Sequence, residues 1–370
     1  MITITAKIQI LPTQEEQKLL LATSARYTEA CNFVSEYIYN TKNTKQNALI
    51  KALYYGLRDR FGLRSQMACS VVKTVLASYR TIKETTGVWT QPKYKHSVYD
   101  LVWNRDYSLN QGRFSVNTLK GRIKLNFHVQ GMDKYFDGSW QFGTAKLVHK
   151  YDKWFLHVPM TKDIPQIDDF DVQNVVGVDL GVNFLATAYG SNHKTMFWNG
   201  RQIKHKRAKY KEVRRQLQKR QTPSARRRLK KIGSRENRWI ADVNHQVTKA
   251  LIESNPSKTL FCLEDLTGVR AATEKVRRKD RYVIVSWAFY DFRQKLEYKA
   301  HLYGSKVKVF NPAYTSQTCP VCGHTERSNR NKKNHIFVCK KCGYHSNDDR
   351  IGAMNLYRKG IEYLSTVTPE

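Results

Sequence analysis

The 370-residue sequence predicts a multidomain α/β protein, and three observations carry that prediction. Residues 88–162 alternate polar and apolar, two later apolar runs each end in a lone carboxylate, and CxxC pairs stand at 319–322 and 339–342. A chain of this length can bury more than one core, and length alone suggests about two to three compact units.

Lys plus Arg outnumber Asp plus Glu by 64 to 31, a formal net charge of +33. Solubility needs far less, so a polyanionic partner is expected, with nucleic acid first. No run approaches the roughly 20 apolar residues of a spanning helix, and MITITAKIQI lacks the charged-then-apolar pattern of a secretory signal. The expectation is a cytoplasmic protein with no membrane partner. Of seven cysteines, four fall in CxxC pairs, while Cys31, Cys69 and Cys262 lie singly in apolar surroundings and read as packing residues.

Taken in order, the first ten residues alternate like a strand, and Thr13-Gln14-Glu15-Glu16 has the form of a capping box. Apolar residues at helical spacing, such as Leu20, Tyr27 and Val34 and then Met67, Val71 and Val75, predict a helical block over 13–87. Period-two runs at 113–116, 122–127 and 153–158, separated by Gly112, Gly121 and the Tyr151-Asp152 turn, predict an antiparallel module. The opening strand can join it, which makes the helices an insertion in one small barrel. Acidic, turn-rich TKDIPQIDDFD at 161–171 then reads as a linker. VVGVDLG at 175–181 predicts a buried strand ending at Asp179, with NFLATAYG and HKTMFWNG as the next strands of a meander. TLFCLEDL at 259–266 repeats the design and ends at Glu264, and a helix over 283–303 and a strand over 306–310 continue the α/β pattern.

Between these strands, residues 201–240 hold 17 Lys or Arg against Glu212 and Glu236. Thr222-Pro223 marks a helix start and Gly233 a stop, so two helices are expected. A solvated face normally mixes signs, so this tract predicts phosphate contacts, from Arg207, Lys211, Arg214, Arg215, Arg226, Arg227, Arg228 and Lys231.

Cys319-x2-Cys322-x16-Cys339-x2-Cys342 has the spacing of a tetrahedral thiolate zinc site. Four thiolates leave no open position, so one structural Zn²⁺ is expected, with His324 and His345 as neighbours and not ligands. Asp179, Glu264 and Asp349 offer hard oxygen donors from three elements. Converging, they would repel one another unless Mg²⁺ or Mn²⁺ neutralised them, and paired ions suit phosphodiester hydrolysis. By spacing alone, each acid also reads as a surface residue or a helix cap.

GVDLGVNFLATA, LEDLTGVR, TSQTCPVCG and CKKCGYHSNDDRIGAMNL, in this order, resemble the split nuclease core of the TnpB family. These are transposon-encoded RNA-guided DNA endonucleases related to the type V CRISPR effectors. LEYKA at 296–300 and SVNTLKGRIKLNF at 115–127 extend the resemblance over most of the chain. It implies an RNase H-like, RuvC-type nuclease core with an inserted zinc ribbon, plus an N-terminal wedge β-barrel carrying a helical recognition insert. On that plan residues 1–12 are the first barrel strand, 13–87 the helical insert, 88–162 the rest of the barrel and 163–172 a linker. Residues 173–310 are the nuclease core including the basic helices of 201–240. The ribbon is 311–345, the last core segment 346–360 and a tail 361–370.

The resemblance further implies that Asp179, Glu264 and Asp349 are catalytic and hold two Mg²⁺ or Mn²⁺ ions. The usual last motif is Asp-x-Asn-Ala-Ala-x-Asn, and here Ile351 and Gly352 stand at its first Asn and first Ala; Ala353 and Asn355 keep the register that selects Asp349 over Asp348. Guide RNA and double-stranded target DNA are the expected partners, with a monomer on its RNA as the expected assembly. Gln66 and Lys73, off the apolar face of the stripe 65–80, are candidate readers of a DNA-flanking motif. Two alternatives stand beside this: a guided DNA-binding protein that does not cut, and a transposase or transposase accessory protein.

Overall fold

The computed structural model describes residues 1–367 except 96–97, 111, 130, 151, 182–183, 267–288 and 332. Two compact units result, Met1–Asp163 and Ile164–Glu370. Among the described residues no helix is long and apolar enough to cross a membrane.

The first unit comprises β1 (Ile2–Leu11), α1 (Gln14–Thr41), α2 (Gln46–Phe61), α3 (Ser65–Thr86), β2 (Tyr99–Leu101), β3 (Tyr107–Asn110), β4 (Arg113–Thr118), β5 (Gly121–His128), β6 (Gln141–Phe142), β7 (Ala145–Lys150) and β8 (Lys153–Lys162). Thr13 and Glu16 cap α1 reciprocally, as their spacing predicts. β1 lies antiparallel between β5 and β8, so the opening strand belongs to the later sheet and the helices are inserted between β1 and β2. The main path runs β2-β7-β8-β1-β5-β4-β3, with β6 on β8. Its two end strands are joined directly through residues 102–106, a link of at most about 20 Å, whereas six flat strand spacings would need about 29 Å. The sheet therefore curls into a nearly closed barrel.

The second unit comprises β9 (Asn174–Asp179), β10 (Phe184–Gly190), β11 (Thr195–Asn199), α4 (Arg201–Arg220), α5 (Pro223–Glu253), β12 (Thr259–Glu264), α6 (Phe289–Leu302), β13 (Lys306–Phe310), β14 (Arg330–Asn331), β15 (Ile336–Val338), β16 (His345–Asn347) and α7 (Asp348–Val367). Five strands form a sheet in the order β11-β10-β9-β12-β13, with β9, β10 and β11 antiparallel and β12 and β13 parallel to β9. Val176, Val178 and Phe261 meet α5 and α6 on one face, and Val175, Leu260 and Cys262 meet α7 on the other. The predicted strands all form. The first part of the helix expected over 283–303, and residues 267–270 of the LEDLTGVR stretch, lie outside the described residues.

Two expectations are corrected. Gly233 does not stop a helix, because α5 runs through it to Glu253. A helical glycine costs about 1 kcal/mol relative to alanine, whereas burying Ile240, Val247 and Leu251 downstream contributes roughly 1.5–3 kcal/mol each. The last segment is also not a short helix with a tail beyond 360. α7 continues to Val367 because Tyr363 and Leu364 pack on the Val175 face of the sheet. The end of the linker is tied down too, since Asp169 accepts from Lys306 Nζ and Tyr363 Oη, each at 2.6 Å.

Candidate metal centre

β9 and β12 are parallel neighbours with Val178 opposite Leu263, so Asp179 and Glu264 follow side by side where both strands leave the core. In open α/β sheets the carboxyl ends of parallel strands are where ligands bind. Asp349 arrives on the first turn of α7, whose start is capped by Asn347 Oδ1, accepting from the Asp349 and Arg350 N–H groups at 3.0 and 3.2 Å.

Glycines let α7 reach the acids. A Cβ on Gly177 would stand 2.0 Å from the Ala353 carbonyl oxygen, so helix and strand backbones touch with no side chain between them. A Cβ on Gly360 would stand 2.4 Å from Cys262 Sγ, and one on Gly352 would stand 2.9 Å from Asp179 Cγ. Gly352 thus leaves room for the Asp179 carboxylate where the usual motif has alanine. Gly181 lies close to Asp349, with a Cβ there 3.9 Å from Oδ1.

The crowding shows in the titration of the acids. Burial, then the charges of Glu264 and Asp349, push Asp179 well above the usual carboxylate range. Burial raises Glu264 against the pull of a hydrogen bond from the Thr315 hydroxyl, and burial with Asp348 raises Asp349. Arg330, from β14, eases all three. Its Nε donates to Asp348 Oδ2 at 2.8 Å, and its Nη2 lies 3.9 Å from Asp349 Oδ1. Asp348 is fully covered, and His335 Nδ1 lies 3.5 Å from its Oδ1. Asp348 Oδ1 and Asp349 Oδ2 are buried without a hydrogen-bond partner among the described residues. Buried oxygens left bare beside mutually repelling carboxylates fit a site for hard divalent cations. His335, Asp348 and Asp349 together bring donor atoms within 4.8 Å of one another.

Beside this centre the four cysteine sulfurs also lie within 4.8 Å of one another. Cys319 and Cys342 sulfurs are 3.6 Å apart and those of Cys322 and Cys339 3.5 Å apart, close to the roughly 3.8 Å edge of a tetrahedron with 2.3 Å Zn–S bonds. The two knuckles repeat one design. Cys319 N donates to the His324 carbonyl and Gly323 N to that of Cys319, and the same pattern joins Cys339, Tyr344 and Gly343. Against its desolvation, N–H groups of Cys342 and Lys341 pull the Cys339 thiol down to about 6, while against a Tyr344 backbone hydrogen bond the neighbouring sulfurs push the Cys342 thiol up to about 12, as befits thiols packed close enough to share protons. The donor set fits Zn²⁺. His324 bonds Glu326 and stays outside the sulfur cluster, as does His345.

Ribbon and acids are fastened together. Ile351 of α7 packs with Cys319, Phe337 and Cys339, so the unusual residue of the motif fills the ribbon core. Asn355 Nδ2 donates to the carbonyls of Thr315 and Thr318 at 2.7 and 2.8 Å, which holds Thr315 where its hydroxyl bonds Glu264. Sequence reading singled out the acids and cysteines that the structure gathers, and gave no role to Thr315, Arg330 or His335, for which no spacing rule exists. It gave Gly177 and Gly352 no part in packing, although a glycine inside a strand or helix is a recognised sign of close approach.

The basic tract divides. Lys211, Arg226, Arg227, Arg228 and Lys231 are exposed on the α4–α5 hairpin. Arg207 is not available to phosphate: it is 3 % exposed and shares the inward face of α4 with Ile203 and Leu217. Counting charge along the sequence ignored the helical period that turns this one residue inward. Arg214 pairs with the buried Glu236, and Arg215 with Glu212 at 2.8 Å. In the first unit Lys73 is exposed on α3, while Gln66 accepts from Arg105 Nη1 at 3.0 Å.

Carboxylates gathered at the ends of a mixed sheet, with a four-cysteine ribbon braced against them, define an α/β protein whose two donor sets fit divalent cations. Known proteins resemble this chain in sequence and in fold. Residues 157–267 match a family described as a probable transposase, OrfB of the IS605 type, and residues 289–356 match the Cas12f1-like TNB domain. A CRISPR-associated endodeoxyribonuclease Cas12f1 of Syntrophomonas palmitatica is 26 % identical over 76 % of this chain and 60 % of its own length. A TnpB-like protein of Methanocaldococcus jannaschii is 25 % identical over 67 % of this chain and 90 % of its own. A Cas12f1 solved by cryo-EM with sgRNA and target DNA superposes over 93 % of this chain and 83 % of its own, with a TM-score of 0.61 at 16 % identity, a likeness of fold. The chain is similar to TnpB-like and Cas12f1 proteins, as its motifs imply.

Proposed function

We propose that the chain is an RNA-guided DNA endonuclease with a RuvC-type core, hydrolysing phosphodiester bonds in a target matched by its guide. The observation that carries this reading is the juxtaposition of Asp179 and Glu264 on neighbouring parallel strands with Asp349 beside them on α7. The order β11-β10-β9-β12-β13, three antiparallel strands followed by two parallel ones, supports an RNase H-like core. The endodeoxyribonuclease name of the Cas12f1 relative and the nucleic acids in the solved Cas12f1 support the activity and its partners, guide RNA and double-stranded DNA. Asp179, Glu264 and Asp349 would hold two Mg²⁺ or Mn²⁺ ions, which supply an activated water and steady the leaving oxygen. Thr315 and Arg330 fix the acids, and the ribbon, with one Zn²⁺ on its cysteines, braces the start of α7.

On the same reading the barrel is the wedge, α1–α3 are the recognition insert with Gln66 and Lys73 facing the DNA-flanking motif, and the α4–α5 hairpin contacts nucleic-acid backbone. Pairing with the guide reads sequence while the protein reads a short flank and the shape of the hybrid. Asp179→Ala, Glu264→Ala and Asp349→Ala proteins loaded with guide should bind target DNA like the parent and leave it uncut in a gel assay with Mg²⁺. Undiminished cutting by all three would sink the reading, and a parent that binds but never cuts would leave a guided DNA-binding protein.

A further inference from the structure

We propose that the cleft between α4 and α5 binds an unpaired stretch of nucleic acid, its phosphates on a ring of cations and a base on Tyr210. This deepens, and rests on, the reading of the basic hairpin given above. The cleft measures about 720 Å³, within the roughly 300–1,000 Å³ of ordinary ligand sites. Lys206 and Lys209 of α4 face Arg227, Arg228, Lys231 and Arg235 of α5 across it. Helical spacing puts them there, since 206 and 209, or 227, 231 and 235, recur every three or four residues on one face. Among the described residues no carboxylate lines the cleft, and the tract's two acids, Glu212 and Glu236, are engaged by Arg215 and Arg214. Six cations sharing one hollow without counter-charge call for a polyanion.

The floor narrows the choice of polyanion. It is made of Tyr210, Val213 and Ile232, all half-buried. The Tyr210 ring lies 6.4 Å from Trp239, whose ring carries Lys206 Nζ at 4.2 Å from its centre. Bare phosphate has no use for an apolar floor, and a duplex exposes backbone and base edges while its base faces stay stacked inside. An unpaired strand offers phosphates and an open base face together, which matches cations around an aromatic floor.

The test uses the full chain and fluorescein-labelled 12-nucleotide probes, namely oligouridine, oligothymidine and a 12-base-pair duplex, titrated by anisotropy over a salt series. A Lys209→Gln, Lys231→Gln, Arg235→Gln variant should bind the single strands at least tenfold more weakly. Its salt slope should flatten by roughly 0.7 for each phosphate no longer neutralised. An equal charge removal outside the cleft, Arg201→Gln, Lys219→Gln, Arg220→Gln, should cost under threefold. Tyr210→Ala should weaken single-strand binding about fivefold or more at unchanged salt slope, and Tyr210→Phe should restore it. The stronger of the uridine and thymidine arms tells whether a guide-like or a DNA strand is the natural occupant. Equal losses in the cleft and control variants, or equal losses for duplex and single strands, overturn the proposal while the hairpin remains a nucleic-acid surface. A parent that binds none of the probes at low salt overturns both.

Discussion

The ribbon and the carboxylate centre meet at the start of α7, yet they are assembled in opposite ways. The ribbon's donors come from two copies of one local turn, and their geometry is set by what lies within each knuckle. The acids come from three elements distant in sequence, and only packing brings them together, through Gly177 under Ala353 and Asn355 on the carbonyls of Thr315 and Thr318. A closed set of soft donors stabilises the fold around one ion. An open, buried set of like charges opposes the fold until cations arrive. On the proposed reading one unit would therefore carry a metal site that holds it together and another whose bare acids weaken it.

The contrast is broken most severely from the ribbon side. Elemental analysis should find one zinc per chain in the parent and none in Cys339→Ser, which should also lose several kcal/mol of stability, since a structural site is folding free energy. Normal thermal stability in that variant, with cleavage lost, would show that the ribbon is no brace. Next comes the packing that joins the acids. Gly177→Ala sets a methyl 2.0 Å from a backbone oxygen and should destabilise the second unit by about 3 kcal/mol or more, read from urea melts. Gly352→Ala meets a side chain instead, so about 1–2 kcal/mol is expected, together with a weakened response of melting temperature to Mn²⁺ because Asp179 must turn away.

The smallest effect tests the charge side of the comparison. Asp179, Glu264 and Asp349 all have raised folded-state values, so between the ordinary carboxylate range near about 4 and those raised values the folded chain holds more protons than the unfolded one. Their contribution to stability is fully present below that window and is lost as pH rises through it. With no Mg²⁺ or Mn²⁺ added and zinc left on the ribbon, Asp179→Asn should therefore melt a few degrees above the parent at neutral pH, roughly 1 kcal/mol, with the gap closing toward pH 4 or on adding Mg²⁺ to the parent. A gap independent of pH would mean that charge repulsion is not what the substitution relieves.

What could be read from the sequence follows the same division. The capping box at Thr13, the strand ends at Asp179 and Glu264 and the cysteine knuckles are local patterns, and each forms as written. The placing of Asp349 beside Asp179 depends on α7 crossing β9, which no spacing encodes; motif resemblance supplied it. Gly233 misled because a local breaker was outweighed by apolar residues about two to five turns later. Arg207 misled because charge was counted without asking which way the helix turned it. The parts played by Arg330 and Thr315 were invisible, since they lie only in what these side chains touch. Conversely, the departures at Ile351 and Gly352 look like erosion of a motif in one dimension and like fitted parts in three, one filling the ribbon core and the other making room for a carboxylate.

The position of the helical insert also bears on how the chain becomes folded in time. β1 pairs along its length with β8, Ile2 opposite Lys162, and its end pairs with β5. During synthesis at about 5–20 residues per second, α1–α3 emerge and can pack on one another while β1, with its apolar alternation and both edges bare, waits on the order of ten seconds for the strands that flank it. The barrel closes only when its first and last strands are both present, a late, long-range step. A nascent chain stalled before residue 153 would leave β1 with one open edge, a template for joining another unfinished copy.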